Sequence, residues 1–202
     1  KEIHIIDDNF AARKDHVYSF CRELMRRKIR IPFSCSNGMR LESMDPEILK
    51  LMRSVGFYSV AVGIESGSDK ILSDMKKQTT TEKIRQRVAM VRAAGIEVTG
   101  LFIVGYPTET IADVMKTIDF ARKLPLNRAA FTSFLPLPGS PISKTLQKQG
   151  ALCEEQWKDF SFYSSKHSYA PAISAAQLAK LVKTAFVRFY LRPRPLFYFA
   201  RN

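Results

Sequence analysis

Cysteine is scarce in this 202-residue sequence, and the three present form no pattern. Cys21, Cys35 and Cys153 stand too far apart for a C-x-x-C pair or a C-x-x-x-C-x-x-C loop, which excludes a disulfide framework and a self-contained cysteine metal site. Free thiols are expected, with Cys21 packed as a small apolar group in a helix and Cys35, near a strand end, the one that could face a site. Histidine is as sparse, and His4, His16 and His167 have no mutual spacing suited to a metal, so core or surface roles are expected for all three. The sequence also lacks an eighteen-residue apolar run, and its start, KEIHIIDDNF, has neither the apolar core nor the cleavage site of a signal peptide. No transmembrane segment is expected, and a cytoplasmic setting is the default.

Negative charge is the other shortage. Lys and Arg number 32 against 19 Asp and Glu, giving a formal charge of +13. The excess is spread out: residues 1–150 carry 24 Lys and Arg against 16 acids, and residues 151–202 carry 8 against 3. A basic surface attracts nucleic acid, anionic lipid or an acidic small molecule, and charge alone does not choose among them. No nucleic-acid-binding motif accompanies the charge, so nucleic acid is not expected as a partner, whereas peripheral contact with a membrane is left open.

What the sequence does have is a repeat. Short β-branched apolar runs at 2–7, 30–36, 58–64, 97–105 and 129–137 alternate with segments of helical period such as HVYSFCRELMRR, PEILKLMRSV, TTEKIRQRVAMVRAA and IADVMKTIDFARKL. Asp45 before Pro46, Thr79 with Glu82, and Gly56, Gly95 and Gly150 supply helix starts and stops. Strand, helix and strand repeating about every 30 residues imply right-handed crossovers and a parallel sheet with helices outside. The fold class is therefore α/β, either an open doubly wound sheet or part of a (β/α) barrel, and in both ligands bind beyond the carboxyl ends of the strands. Past residue 140 the repeat stops. An irregular aromatic stretch around Trp157 leads to a helix, SAAQLAKLVKTAFVRFYL, which Pro193 and Pro195 end. Domain bounds of 1–145 for the barrel and 146–202 for an appendage follow.

Polar residues gather at the strand ends. Asp7, Asp8 and Asn9 follow the first strand, Asn37 and Arg40 the second, Glu65 and Ser66 the third, and GYPTET and PLPGSP the last two. Asp8 or Asn9 could simply cap a helix. Glu65 is harder to dismiss, because a carboxylate at the mouth of a packed sheet loses hydration worth several kcal/mol unless a cation or ligand donors replace the water. A salt bridge to a nearby Lys or Arg is its plainest explanation. Gly100 and Gly105 flank a strand and could let a flat ring approach the backbone, or could serve only a turn into the next helix with Thr108 or Thr110 as cap. Gly105 is followed by Tyr-Pro-Thr-Glu-Thr, so this is not a P-loop.

The order IIDDNF, CSNGMR, GIESGSDKIL, KK-x-TTTE, GLFIVGYPTET and PLPGSPI resembles the radical S-adenosylmethionine enzymes, and within them the branch with an N-terminal cobalamin-binding domain. The resemblance runs through residues 2–145, and FYLRPRPLFYF is similar to the end of that branch. It implies a partial (β/α)6 barrel, strands two to six, in which the first strand and the cysteine loop for a [4Fe–4S] cluster lie upstream. A start without Met that enters a strand at once fits such a fragment, expected to be inactive alone and to carry no catalytic or metal-binding residue of its own. The implied cofactors are S-adenosylmethionine, the cluster and cobalamin, with a ferredoxin or flavodoxin as electron donor. By position, the resemblance assigns Asp7, Asp8 and Asn9 to the methionine amino group, where they depart from the family's Gly-Gly-Glu. It assigns Arg40 to the methionine carboxylate, Glu65 to the ribose or methionine end, and Gly100, Gly105 and Tyr106 to the adenine, with Gly100 one residue too far upstream. The implied activity is 5′-deoxyadenosyl radical chemistry on a small molecule. Among members, the oxidative cyclase acting on a magnesium-porphyrin ester in bacteriochlorophyll synthesis is the expectation, its tetrapyrrole suiting a basic, aromatic C-terminal region. A carbon methylase of a lipid or other substrate, an RNA methylthiotransferase-like enzyme and a non-catalytic barrel relative are the alternatives.

Overall fold

The computed structural model describes residues 1–7, 9–153, 158, 161 and 166–192. Five strands alternate with helices: β1 (Ile3–Ile5), α1 (Lys14–Arg26), β2 (Phe33–Met39), α2 (Pro46–Ser54), β3 (Phe57–Glu65), α3 (Asp69–Asp74), α4 (Thr81–Ala93), β4 (Glu97–Val104), α5 (Ile111–Lys123), β5 (Arg128–Ser133), α6 (Pro141–Lys148) and α7 (Ala175–Tyr190). All pairings are parallel and the order is β1-β2-β3-β4-β5, each strand beside its successor. This unbroken order, with no strand inserted between two others, is that of a partial barrel rather than a doubly wound sheet.

Side-chain alternation assigns the two faces. In β4 burial alternates residue by residue, with Val98, Gly100, Phe102 and Val104 buried and their neighbours half-exposed. The buried set meets the helix layer. Stacked Phe33 and Phe57 lie there with ring centroids 5.2 Å apart, as do Phe102 and Phe131 at 5.0 Å. The opposite face is more polar: the Ser34 hydroxyl lies 2.9 Å from His4 Nδ1, and Glu2 accepts from Tyr58 and bonds the other His4 nitrogen.

The helix caps hold the expected places with one shift. Asp45 accepts from the Ile48 N–H at 2.9 Å, but Thr80 rather than Thr79 caps α4, and Glu82 bonds Gln86 instead of closing a box. Complete capping boxes occur at Thr110 with Asp113 and at Ser174 with Gln177. Gly56, Gly95 and Gly150 all take positive φ after their helices. Two short helices, α3 and α6, were not legible as periodic runs, although Ser140 before Pro141 is a good start signal. Helix α7 packs into the main core through Leu178, Ala185 and Phe189. Its Tyr190 hydroxyl donates to the Ala129 carbonyl at 2.9 Å, occupying backbone on the outer edge of β5. Cys35 is buried among core residues, where burial pushes its thiol up to about 12, so it faces no site. Asp8, Trp157 and the tail from Pro193 lie outside the described residues.

Candidate active site

Strand β3 does not end regularly. Gly63 pairs with Leu101 and Glu65 with Phe102, so Ile64 is an extra residue and the strand bulges as it reaches the sheet's carboxyl edge. Glu65 there takes φ 67, the left-handed region that costs a non-glycine residue about 1–2 kcal/mol. Its carboxylate folds back over Gly63, where a Cβ would stand 2.7 Å from Glu65 Oε1. A second non-glycine residue with positive φ, Lys76 at 56, occupies the position after α3 that glycine usually takes and turns the chain so that Lys77 points back. Lys77 Nζ meets Glu65 Oε1 at 2.7 Å, with the Glu65 side chain 14% and that of Lys77 43% exposed. Of the three non-glycine residues with positive φ among the described residues, these two line one cleft.

The cleft measures about 670 Å³, within the range of small-molecule sites. Besides Gly63, Glu65, Lys76 and Lys77, it is lined by Asn37, Arg40, Thr79 and Leu101. Arg40 is exposed and enters no ion pair among the described residues. Its backbone N–H donates to Asn9 Oδ1 at 3.4 Å, and Asn37 Nδ2 donates to the Ile6 carbonyl at 3.4 Å, so two amides tie the end of β1 to the end of β2. Behind the cleft the turn after Glu65 is fastened to α5. Thr117 Oγ1 accepts from the Gly67 N–H at 2.9 Å and bonds Ser66, while the Ser68 hydroxyl donates to Asp113. Burial works against the Asp113 charge but is outweighed by bonds from Thr110, Lys116 and Ser68, which hold its carboxyl down at about 2.

Of the residues singled out in the sequence, Arg40 and Glu65 meet in this cleft with Asn37. Asp7 and Asn9 line a neighbouring concavity beside Phe10, Arg13 and His16. Gly100 lies on the helix side of β4, where a Cβ would come within 2.7 Å of Leu126 and 2.9 Å of Phe102, so it serves packing and offers no surface to a ligand. Gly105, at φ 86, lies beneath Leu178 of α7. The Tyr106 ring packs edge-on against Phe134, and its hydroxyl donates to the Asp74 carbonyl. Sequence reasoning missed Lys77, whose only signal was its place in KK-x-TTTE. It also missed Glu109, whose Oε2 accepts from the Gly105 and Tyr106 N–H groups at 2.6 and 3.2 Å. Burial pushes the Glu109 carboxyl up to about 7 against the pull of those two donors, and its Oε1 has no partner among the described residues.

A strained acid paired with a lysine, in one cleft with an arginine that enters no ion pair among the described residues, at the carboxyl ends of parallel strands, suits a ligand carrying both an amine or diol and a carboxylate. The sequence profile of the radical SAM superfamily matches residues 1–121. The chain belongs to the radical SAM superfamily. An uncharacterised methyltransferase of Pyrococcus horikoshii is 30% identical over 97% of this radical SAM chain and 42% of its own length. The cytidylyl-2-hydroxyethylphosphonate methyltransferase of Streptomyces wedmorensis is 32% identical over 77% of the chain and 30% of its own length. The chain thus spans less than half the length of these curated relatives. The anaerobic magnesium-protoporphyrin IX monomethyl ester cyclase of Rubrivivax gelatinosus is more distant, at 25% identity over 70% of the chain. The fold agrees with that of the radical S-adenosylmethionine methyltransferase TsrM from Kitasatospora setae, solved with cobalamin and a [4Fe–4S] cluster. It superposes with TM-score 0.65 at 23% identity over 73% of the chain and 28% of that protein. Among the described residues of this radical SAM chain, no group of three or more His, Cys, Asp or Glu is placed to hold a metal ion. The described residues therefore supply no ligand set for an iron–sulfur cluster.

Proposed function

We propose that the cleft between β2, β3 and the Lys76–Lys77 turn binds S-adenosylmethionine, and that the chain is the substrate-facing part of a radical SAM methyltransferase barrel. The observation that carries this reading is Glu65, held at φ 67 with its carboxylate against Lys77 and within one cleft with Arg40. The residues fit the ligand. Glu65 accepts from ribose hydroxyls or the amine, Arg40 and Lys77 receive the carboxylate, and Leu101 provides an apolar wall beside the sulfonium. Bound here, S-adenosylmethionine supplies a sulfonium with activated methyl and adenosyl carbons; the chain's part is to orient it. Binding exchanges the Lys77–Glu65 pair for pairs with ligand, so neither charge is left unmatched at any stage. Methyl transfer is preferred to oxidative cyclisation because the methyltransferases are closer in sequence, at 30% and 32% identity against 25% for the cyclase.

Calorimetry of S-adenosylmethionine with the chain tests the assignment. Glu65→Gln and Lys77→Met are each expected to weaken binding about 10- to 100-fold, the value of a hydrogen bond to a charged group. Affinity unchanged in both variants sinks it.

A further inference from the structure

The outward face of α7 carries a pattern that the cleft does not explain. Lys180, Lys183, Val187, Arg188 and Leu191 are all exposed, with Thr184 half-buried among them, and their spacing of three and four places them on one helical stripe. Leu178, Ala185 and Phe189 form the opposite, buried stripe, so the outer face is fixed by packing. Two large aliphatic side chains stand within the basic stripe, Val187 at 47% and Leu191 at 70% exposure. Among the described residues Lys180, Lys183 and Arg188 have no ion-pair partner. Arg192 belongs elsewhere: its guanidinium lies 4.0 Å over the Phe189 ring and donates to backbone carbonyls.

The surrounding sequence extends the pattern. From Phe160 to Asn202 there is no Asp or Glu, and lysine or arginine stands at 166, 180, 183, 188, 192, 194 and 201. Leu196, Phe197, Tyr198 and Phe199 fall between the last two of these. No helix among the described residues is long and apolar enough to cross a membrane. A helix that lies in the membrane interface joins a basic face to exposed apolar side chains, the cations drawn to anionic headgroups and the aliphatics inserted beside them. Nucleic acid matches the charge but gives no role to the exposed aliphatic pair on α7, Val187 and Leu191, because it is gripped by cations with aromatic stacking.

We infer that the outer face of α7 docks the protein on an anionic phospholipid surface, through Lys180, Lys183 and Arg188 with Val187 and Leu191 as the apolar contact. This does not depend on what the cleft binds. Co-sedimentation of the chain with vesicles of phosphatidylcholine, alone or mixed with phosphatidylglycerol, tests it. Binding is expected only to the mixed vesicles, weakening as salt rises. Each basic charge near the surface is worth about 5-fold, so the K180E/K183E/R188E variant, which removes three of them and adds three acids, is expected to bind more weakly by at least about 100-fold. The V187S/L191S variant keeps every charge and is expected to lose about 10-fold. Lys144→Glu, on the exposed side of α6, is expected to change binding far less. Absence of binding to mixed vesicles, or equal binding by all three variants, overturns the proposal. So does release from the vesicles by polyuridylate that the chain binds more tightly, which assigns the face to nucleic acid.

Discussion

Two strand ends that look alike in the sequence do different work. Strands β3 and β4 each end in a polar turn with glycines nearby, GIESGSD and GYPTET, and both suggested a ligand site. In β3, Gly63 leaves room for the Glu65 carboxylate to fold back into the cleft, and Gly67 allows the turn to lie against α5. In β4, Gly100 packs under Leu126 and Gly105 under Leu178, while the acid of the turn, Glu109, faces inward and holds the Gly105 and Tyr106 N–H groups. A glycine marks a close approach, and its neighbours decide whether that approach serves a ligand or the core.

The largest effect expected from this contrast lies at Glu109. Its folded-state pKa of about 7 stands above the ordinary 4.5, so the folded protein keeps a proton that the unfolded chain releases. That contribution to stability is whole below pH 4.5 and is lost as pH rises through 7, amounting to about 3 kcal/mol. Urea unfolding at pH 5 and pH 8 should show this loss, and Glu109→Gln should flatten it. An unaltered pH dependence in the variant would mean that burial does not hold a proton on the β4 acid, and the contrast would fail. Next comes Gly67→Ala. Its Cβ would meet Phe120 Cβ at 2.6 Å, Thr117 Cα at 2.7 Å and the Lys116 carbonyl at 2.8 Å, atoms that cannot move without shifting α5. Denaturant titration should find it about 2 kcal/mol less stable. A neutral result would show that the β3 turn is not clamped. The smallest effect has the opposite sign. Glu65→Gly relieves the left-handed strain and removes only one partly exposed ion pair, so thermal unfolding should show it about 1 kcal/mol more stable while it loses S-adenosylmethionine. A variant that is less stable would make Glu65 a structural residue.

Much of this was readable without coordinates. The five strands follow from apolar runs bounded by glycine, proline and capping residues, and their parallel pairing follows because a helix intervenes between each pair. Arg40 and Glu65 were singled out by the rule that parallel sheets bind ligands beyond their carboxyl ends, and the structure lines one cleft with both. The rule does not say which concavity each residue lines: Asp7 and Asn9 occupy the same edge but open into the one beside α1. The face of Gly100 was not readable, because it depends on strand register, and a shift of one residue moves a side chain from one side of the sheet to the other.

What the sequence determined by itself is therefore what is local: element type, element order, the caps that start helices and the edge where polar residues collect. These depend on periods of two and 3.6 and on residues three or four apart. Only the tertiary structure decided that Lys77 meets Glu65 across twelve residues, that a bulge at Ile64 carries the carboxylate into the cleft, and that Leu126 and Leu178 claim the space above Gly100 and Gly105. Each of these depends on where a distant segment lands once the sheet has twisted and the helices have packed, and no short-range pattern encodes that distance.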